Sequence, residues 1–240
     1  MTHLGILAHS AEGAALCFRA FCQEGFRELG PHDHPDVSLD CIPLARSMPS
    51  WDAGDLAAVR TTLAESVRRL AGAGADFFVC PDNTAHEALE LPGADLALPG
   101  LHIAEVVAER AEADGHRRIG VLGTRRLMEG PVYRRAFGSR GIGAEVPEPR
   151  ERAVVDRIIF EELVNGEFTD VSRETFVRIV EELAARGCDA VALVCTEIPL
   201  LVTPGAVPLP SLDSTRLLAR AAFEVAVGVR ELPRWRGGPV

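Results

Sequence analysis

Two short polar clusters hold the residue types able to do chemistry: Pro81-Asp82-Asn83-Thr84-Ala85-His86 and Val194-Cys195-Thr196-Glu197-Ile198-Pro199. A carboxyl in one and a thiol in the other suit one task particularly well. A carbon acid held between them loses a proton to one group and gains a proton from the other, which is racemisation or epimerisation without a cofactor. Reference pKa values of about 3.9 for Asp and about 8.5 for Cys make an Asp82 carboxylate and a Cys195 thiol the expected resting pair. The reverse direction needs a carboxylic acid with a thiolate, about 4.6 units uphill by the same references. Burial that raises Asp82, and oriented N–H donors that lower Cys195, would narrow that gap. Asn83, Thr84, Thr196 and Glu197 add neutral donors and one more carboxyl, and N–H groups opening the following helices would suit a substrate carboxylate.

The elements that must position these clusters are repeated. Leu70–Thr84 lies over Leu183–Glu197 without a gap: Leu70-Ala71 falls on Leu183-Ala184, Gly74 on Gly187, Asp76 on Asp189 and Asp82 on Cys195. Each copy reads as a helix end, a glycine stop, a buried apolar strand and a polar cluster. The opening Leu4–Ala8 strand is echoed at Arg118–Thr124, and Arg19-Ala20-Phe21 at Arg135-Ala136-Phe137, so the chain looks like a duplicated half. Strands are expected at 4–8, 37–44, 77–80, 118–124, 142–146 and 190–194. Helices are expected at 14–29, 55–73, 153–165, 172–186 and 214–227. That alternation predicts an α/β fold of two pseudo-symmetric lobes, each a short parallel sheet flanked by helices, with the active site in the cleft between them. The expected division is 1–97 plus 209–240 for the first lobe and 98–208 for the second. Pro204–Pro210 reads as a proline-rich crossing, and the tail from Arg230 as loose chain.

With 240 residues the chain can bury a substantial core, and its 47% apolar and 25% charged content is that of an ordinary globular protein. A net charge of −10 argues against a nucleic-acid partner, which would call for a basic stripe. No apolar run approaches the roughly 18 residues of a membrane helix. The N-terminal apolar stretch is too short for a secretory leader, so a cytoplasmic setting is expected. The six cysteines (17, 22, 41, 80, 188 and 195) form no CxxC pair, consistent with a reducing compartment. There is no phosphate-binding glycine motif, and the absence of any lysine rules out a pyridoxal-phosphate Schiff base. No cofactor and no metal are expected.

With these residues in view, the chain resembles the aspartate/glutamate racemase family, which includes hydantoin racemases, maleate isomerases and arylmalonate decarboxylases. The resemblance runs over nearly the whole length. Val194-Cys195-Thr196-Glu197 corresponds to the family's Gly-Cys-Thr-Glu, and Pro81-Asp82-Asn83-Thr84 with His86 to its Pro-Cys-Asn-Thr with a nearby His. It implies two pseudo-symmetric α/β lobes, an amino-acid or carboxylate substrate, catalysis without pyridoxal phosphate and a homodimer. The departure is Asp82, which stands where the family's first catalytic cysteine is usual.

Each signal also has a plainer reading. Asp82 could cap a helix, and so could Asn83, Thr84 and Thr196; a cap and a carboxylate site use the same N–H groups. Cys195 could be a core thiol at a strand end, though the Thr-Glu-Ile-Pro context favours function. Cys80 is set deeper in its strand, where a buried thiol is inert. Glu197 suits a structural hydrogen-bond partner better than a base. Ser10 and Thr124 occupy matching loops after the first strand of each half and are candidates for substrate contact. His86 reads as a satisfied core histidine and His32-Asp33-His34 as a polar loop rather than a metal site. Arg125-Arg126 is either solvated surface or an attraction for an acidic substrate. The chemistry expected is that of an amino-acid racemase with Asp82 and Cys195 as opposed acid and base. Its alternatives are a one-sided decarboxylase or cis/trans isomerase using Cys195, and a small-molecule-binding protein without turnover.

Overall fold

A computed structural model describes residues 1–203 and 205–240; Pro204, at the start of the proline-rich crossing, lies outside the described residues. The chain forms two compact units, Met1–Val106 with Thr215–Val240, and Val107–Ser214. In the first unit come β1 (Leu4–Ala8), α1 (Ala11–Glu28), β2 (Val37–Cys41), α2 (Met48–Asp52), α3 (Leu56–Gly72), β3 (Phe77–Val79), the single turn α4 (His86–Leu89) and β4 (Gly100–Leu101). Helix α5 (Ile103–Ala113) then carries the chain into the second unit. There follow β5 (Arg118–Leu122), α6 (Arg125–Glu129), α7 (Val132–Gly138), β6 (Gly143–Glu145), α8 (Pro149–Glu161), α9 (Asp170–Ala185), β7 (Ala190–Leu193), the single turn α10 (Ile198–Leu201) and β8 (Ser211–Asp213). Helix α11 (Ser214–Ala226) returns to the first unit.

Both sheets are four-stranded and wholly parallel, in the orders β2-β1-β3-β4 and β6-β5-β7-β8. The shared order is the duplication read from the sequence, now seen as topology. A parallel sheet is covered on both faces, which explains why its central strands are apolar throughout rather than alternating. In β1, Leu4, Ile6 and Ala8 join Phe77 and Val79 of β3 against α1 and α11. Leu7 and Phe78 face the opposite way, onto Val59, Leu63, Val67 and Leu70 of α3.

The repeated residues repeat their jobs. Gly5 in β1 lets Leu70 of α3 approach, and a Cβ there would meet the leucine at 3.2 Å; Gly120 in β5 does the same for Leu183 of α9, at 2.8 Å. Gly74 and Gly187 stop α3 and α9 with φ of 91° and 88°, a conformation that favours glycine. At each stop the same pair of hydrogen bonds closes the helix end: Ala75 N–H to Leu70 O and Gly74 N–H to Ala71 O, then Cys188 N–H to Leu183 O and Gly187 N–H to Ala184 O. Asp76 accepts from His3 N–H (2.8 Å) and Asp189 from Arg117 N–H (2.8 Å), fixing the entry of β1 and of β5.

Three features depart from the sequence reading. Strands β4 and β8 and the helices α2, α5, α6 and α7 were not anticipated, the strands being only two and three residues long. The strand expected at 37–44 ends at Cys41, because Pro43 lacks an N–H for the ladder and a 3-10 turn begins at Leu44. The tail is not loose. Leu96 N–H donates to Arg236 O and Gly100 N–H to Trp235 O, while Gly238 N–H donates to Leu89 O. Trp235 also stacks on His86 and Phe78, so ring burial and backbone pairing together hold the segment.

Candidate functional site

The first cluster hangs from the carboxyl end of β3. Cys80 is fully buried among the α3-facing apolar side chains. Burial, with the nearby Asp82 charge, pushes its thiol well above the ordinary range, so it is the inert thiol the sequence suggested. Asp82 retains a side-chain exposure of 16%. Its Oδ1 accepts from Ala85 N–H at 3.2 Å, the capping use anticipated for it. Its Oδ2 lies 2.6 Å from Nδ1 of His9, whose side chain is 1% exposed. Nε2 of His9 lies 2.7 Å from Oγ of Ser47, and that hydroxyl lies 3.1 Å from the carbonyl of Leu44.

This corrects one expectation. Burial does push the Asp82 carboxyl up, but the hydrogen bond and charge of His9, with the Ala85 N–H, outweigh it and hold the group below the usual carboxylate range. Beneath the cluster, His86 is completely buried. Its Nδ1 donates to the Asp82 carbonyl at 3.0 Å and its Nε2 accepts from Ile103 N–H at 3.4 Å. Burial first, then the neighbouring His102, pulls its pKa down to about 3, which makes it a neutral core histidine.

The second cluster follows β7. Cys195 closes the apolar core of its unit and keeps 9% exposure. Its Sγ donates to Oε2 of Glu197 at 2.9 Å, so the carboxyl two residues on gives the thiol proton a defined acceptor. Asn83, Thr196 and Glu197 are buried, and Thr84 is half-buried. Ser10 and Thr124 are the N-caps of α1 and α6, accepting from Gly13 N–H and Leu127 N–H at 3.4 Å each. The helices that follow Asp82 and Cys195 are single turns, so the helix-end field expected there for a carboxylate is small.

Arg125 and Arg126 are exposed. In the 32–34 loop, His32 and His34 pack their rings against Phe26, and His34 bonds the Pro35 carbonyl. Among the described residues no three His, Cys, Asp or Glu side chains are grouped as metal ligands, and no helix is long and apolar enough to cross a membrane. His9 and Ser47 were missed by the sequence reading. The only hint was that His9 sits beside Ser10, already marked, while its partner is 73 residues away.

Residues 19–222 match the Asp/Glu/hydantoin racemase family. This chain belongs to that family. A candidate Asp/Glu racemase from Yersinia pestis is 31% identical over 95% of this chain and 100% of its own, with a TM-score of 0.85. The fold is shared as well with an aspartate racemase homologue from Pyrococcus horikoshii, 24% identical over 95% of this chain and 100% of that one, TM-score 0.80. It is shared too with the aspartate racemase of Picrophilus torridus, 19% identical over 95% of each chain, TM-score 0.77. The Asp/Glu/hydantoin racemase family is therefore the frame in which Asp82 and Cys195 are read.

Proposed function

We propose that this protein is a cofactor-independent amino-acid racemase of the aspartate/glutamate type, in which Asp82 and Cys195 act on the same substrate carbon from opposite faces. The observation that carries the reading is positional. A carboxyl and a thiol occupy equivalent places after equivalent strands in a family of racemases. One takes the Cα proton as the other supplies a new one. Glu197 positions the Cys195 proton, while Asn83, Thr84 and Thr196, with Ser10 and Thr124, are the proposed substrate-contacting set. The reading includes a homodimer and a cytoplasmic setting; the six free cysteines are in keeping with a reducing compartment.

The test is incubation in D₂O with aspartate, glutamate, other amino acids and malonates, followed by NMR at Cα. Racemase chemistry gives deuterium uptake that Cys195→Ala abolishes and Asp82→Asn strongly reduces. Release of CO₂ would replace the reading with a one-sided decarboxylase. Binding without exchange, surviving Cys195→Ala, would make the chain a binding protein.

A further inference from the structure

The Asp82 carboxyl is held below the usual carboxylate range, yet a two-base mechanism needs it to carry a proton in one of its two forms. The side chains behind it resolve this. His9 projects from the end of β1, beside the end of β3 that carries Asp82, and both of its ring nitrogens are engaged. We propose that Asp82 and His9 act as one acid/base unit sharing a single transferable proton between Oδ2 and Nδ1, with the Ser47 hydroxyl as the acceptor that fixes the other ring hydrogen on Nε2. This rests on the racemase reading of Asp82.

The proton count follows from the geometry. Nε2–H of His9 donates to Ser47 Oγ, whose own hydrogen goes to the Leu44 carbonyl 3.1 Å away, so Nδ1 is the ring nitrogen that exchanges a proton with the Asp82 carboxyl. With the unit loaded, one proton lies between Oδ2 and Nδ1; with it unloaded, the carboxylate faces the bare Nδ1 of a neutral imidazole. Neither state leaves Nε2 unpaired, and neither requires a side chain to move. Delivery of the extra proton from the carboxyl to Cα forms a C–H bond and leaves carboxylate with neutral imidazole. Abstraction breaks the C–H bond, loads the unit and leaves the electron pair on the substrate carbon. Cys195 changes between thiol and thiolate in the opposite sense, so protons balance. His9 reaches the substrate only through Asp82 and is a positioning residue, not a catalytic one. The same three residue types build hydrolytic triads, but here Ser47 is 1% exposed and has no access to an acyl group.

The gain is a second place for the proton: the ring nitrogen 2.6 Å away holds what the carboxyl itself releases. The other titratable groups facing the unit do not compete for the proton. Cys80 at the end of β3 stays a thiol and His86 at the start of α4 stays neutral; behind them lie Cys17 of α1, and His102 with Glu90.

Two measurements decide it. In the resting enzyme without substrate, ¹⁵N shifts of the His9 ring, assigned by their loss in His9→Asn, are followed from pH 5 to 9 beside the Asp82 carboxyl ¹³C shift. A shared proton moves both nuclei with one midpoint, and Asp82→Asn displaces the ring's midpoint. A ring that stays in one neutral tautomer throughout, or titrates independently of Asp82, overturns the proposal. The second measurement is the pH profile of kcat/KM for Cα exchange. His9→Asn is expected to move the acid limb down by more than one pH unit and lower the plateau at least tenfold. Ser47→Ala, which keeps the Asp82–His9 contact, shifts the limb by less. A lower plateau with an unmoved limb makes His9 merely structural. If the wild type exchanges no Cα proton, the racemase reading fails while the resting-state shifts still decide whether the proton is shared.

Discussion

The loops after β3 and β7 start from the same frame and furnish their reactive groups differently. In the first unit the helper comes from the neighbouring strand end, where His9 reaches Asp82 at 2.6 Å. Counted from the shared N-caps, Ser10 of α1 and Thr124 of α6, the residue at the same place in the second unit is Gly123, where a Cβ would stand 2.7 Å from Cγ2 of Val194. A side chain there would have to displace Val194. The helper is instead Glu197, within the same turn, 2.9 Å from Cys195. Duplication preserved the scaffold (Leu70 with Leu183, Gly74 with Gly187, Asp76 with Asp189), while in the proposed mechanism each half has its own way to hold a proton. A carboxyl held below its usual range needs a partner that can take the proton it does not keep; a thiol, which keeps its proton at neutral pH, needs only an acceptor that orients it.

Substitutions can break this comparison in order of effect. Cys195→Ala and Asp82→Asn remove the groups themselves and are expected to lower Cα exchange by about 10²–10⁴-fold, the usual reach of general acid–base catalysis, with the thiol loss the larger. Glu197→Gln keeps a hydrogen-bonding partner but removes its charge. Losing a charge-assisted hydrogen bond worth about 1.5–3 kcal/mol predicts a rate fall of about ten- to a hundredfold, with a melting temperature lower by about 2–4 °C for each kcal/mol lost from the folded state. An unchanged rate would leave the second unit with no helper.

Gly123→Ala tests why the halves differ. Overpacking against Val194 is expected to cost about 1–3 kcal/mol, seen as a melting temperature lowered by about 2–4 °C for each kcal/mol. A variant as stable as the wild type would show that the second loop has room for a strand-borne partner after all.

His86 gives the smallest effect. It has its counterpart in Pro199, so only the first loop sits on a buried histidine. Its folded pKa of about 3 lies below the value near 6.5 of an unfolded chain, so between those limits the unfolded state binds the extra proton and stability falls as pH falls. From pH 7 to 5 the loss assignable to this residue is about 2 kcal/mol. Asp82, depressed when folded, adds loss only at lower pH, as it titrates through its folded value. Trp51 and Trp235 are the chain's two tryptophans and both belong to the first unit. Urea melts followed by their fluorescence should therefore show the acid loss shrinking in His86→Gln. Equal losses in variant and wild type would contradict a neutral buried ring.

The duplicated frame was legible because its signals are local. Glycine stops, apolar strands and the residues after them recur at fixed spacing, and each kept its role in the structure. Strands β4 and β8 were illegible because two or three residues set no period. Tail docking was illegible because it depends on distant backbone carbonyls and on one ring stacking on His86. The site divides in the same way. Asp82, Cys195 and Glu197 announce themselves by their neighbours in sequence, whereas His9 and Ser47 become meaningful only when β1 and β3 pair and bring residues 73 positions apart into contact.

The most direct measurement of two groups acting on one carbon is where deuterium goes at low conversion. Starting from each pure enantiomer in D₂O, the account predicts a product carrying one Cα deuterium while the remaining substrate stays protiated, because the group that removes a proton is not the group that returns one. Deuterium entering the remaining substrate as fast as the product forms would mean a single group working one face, and the pairing of Asp82 with Cys195 would be wrong.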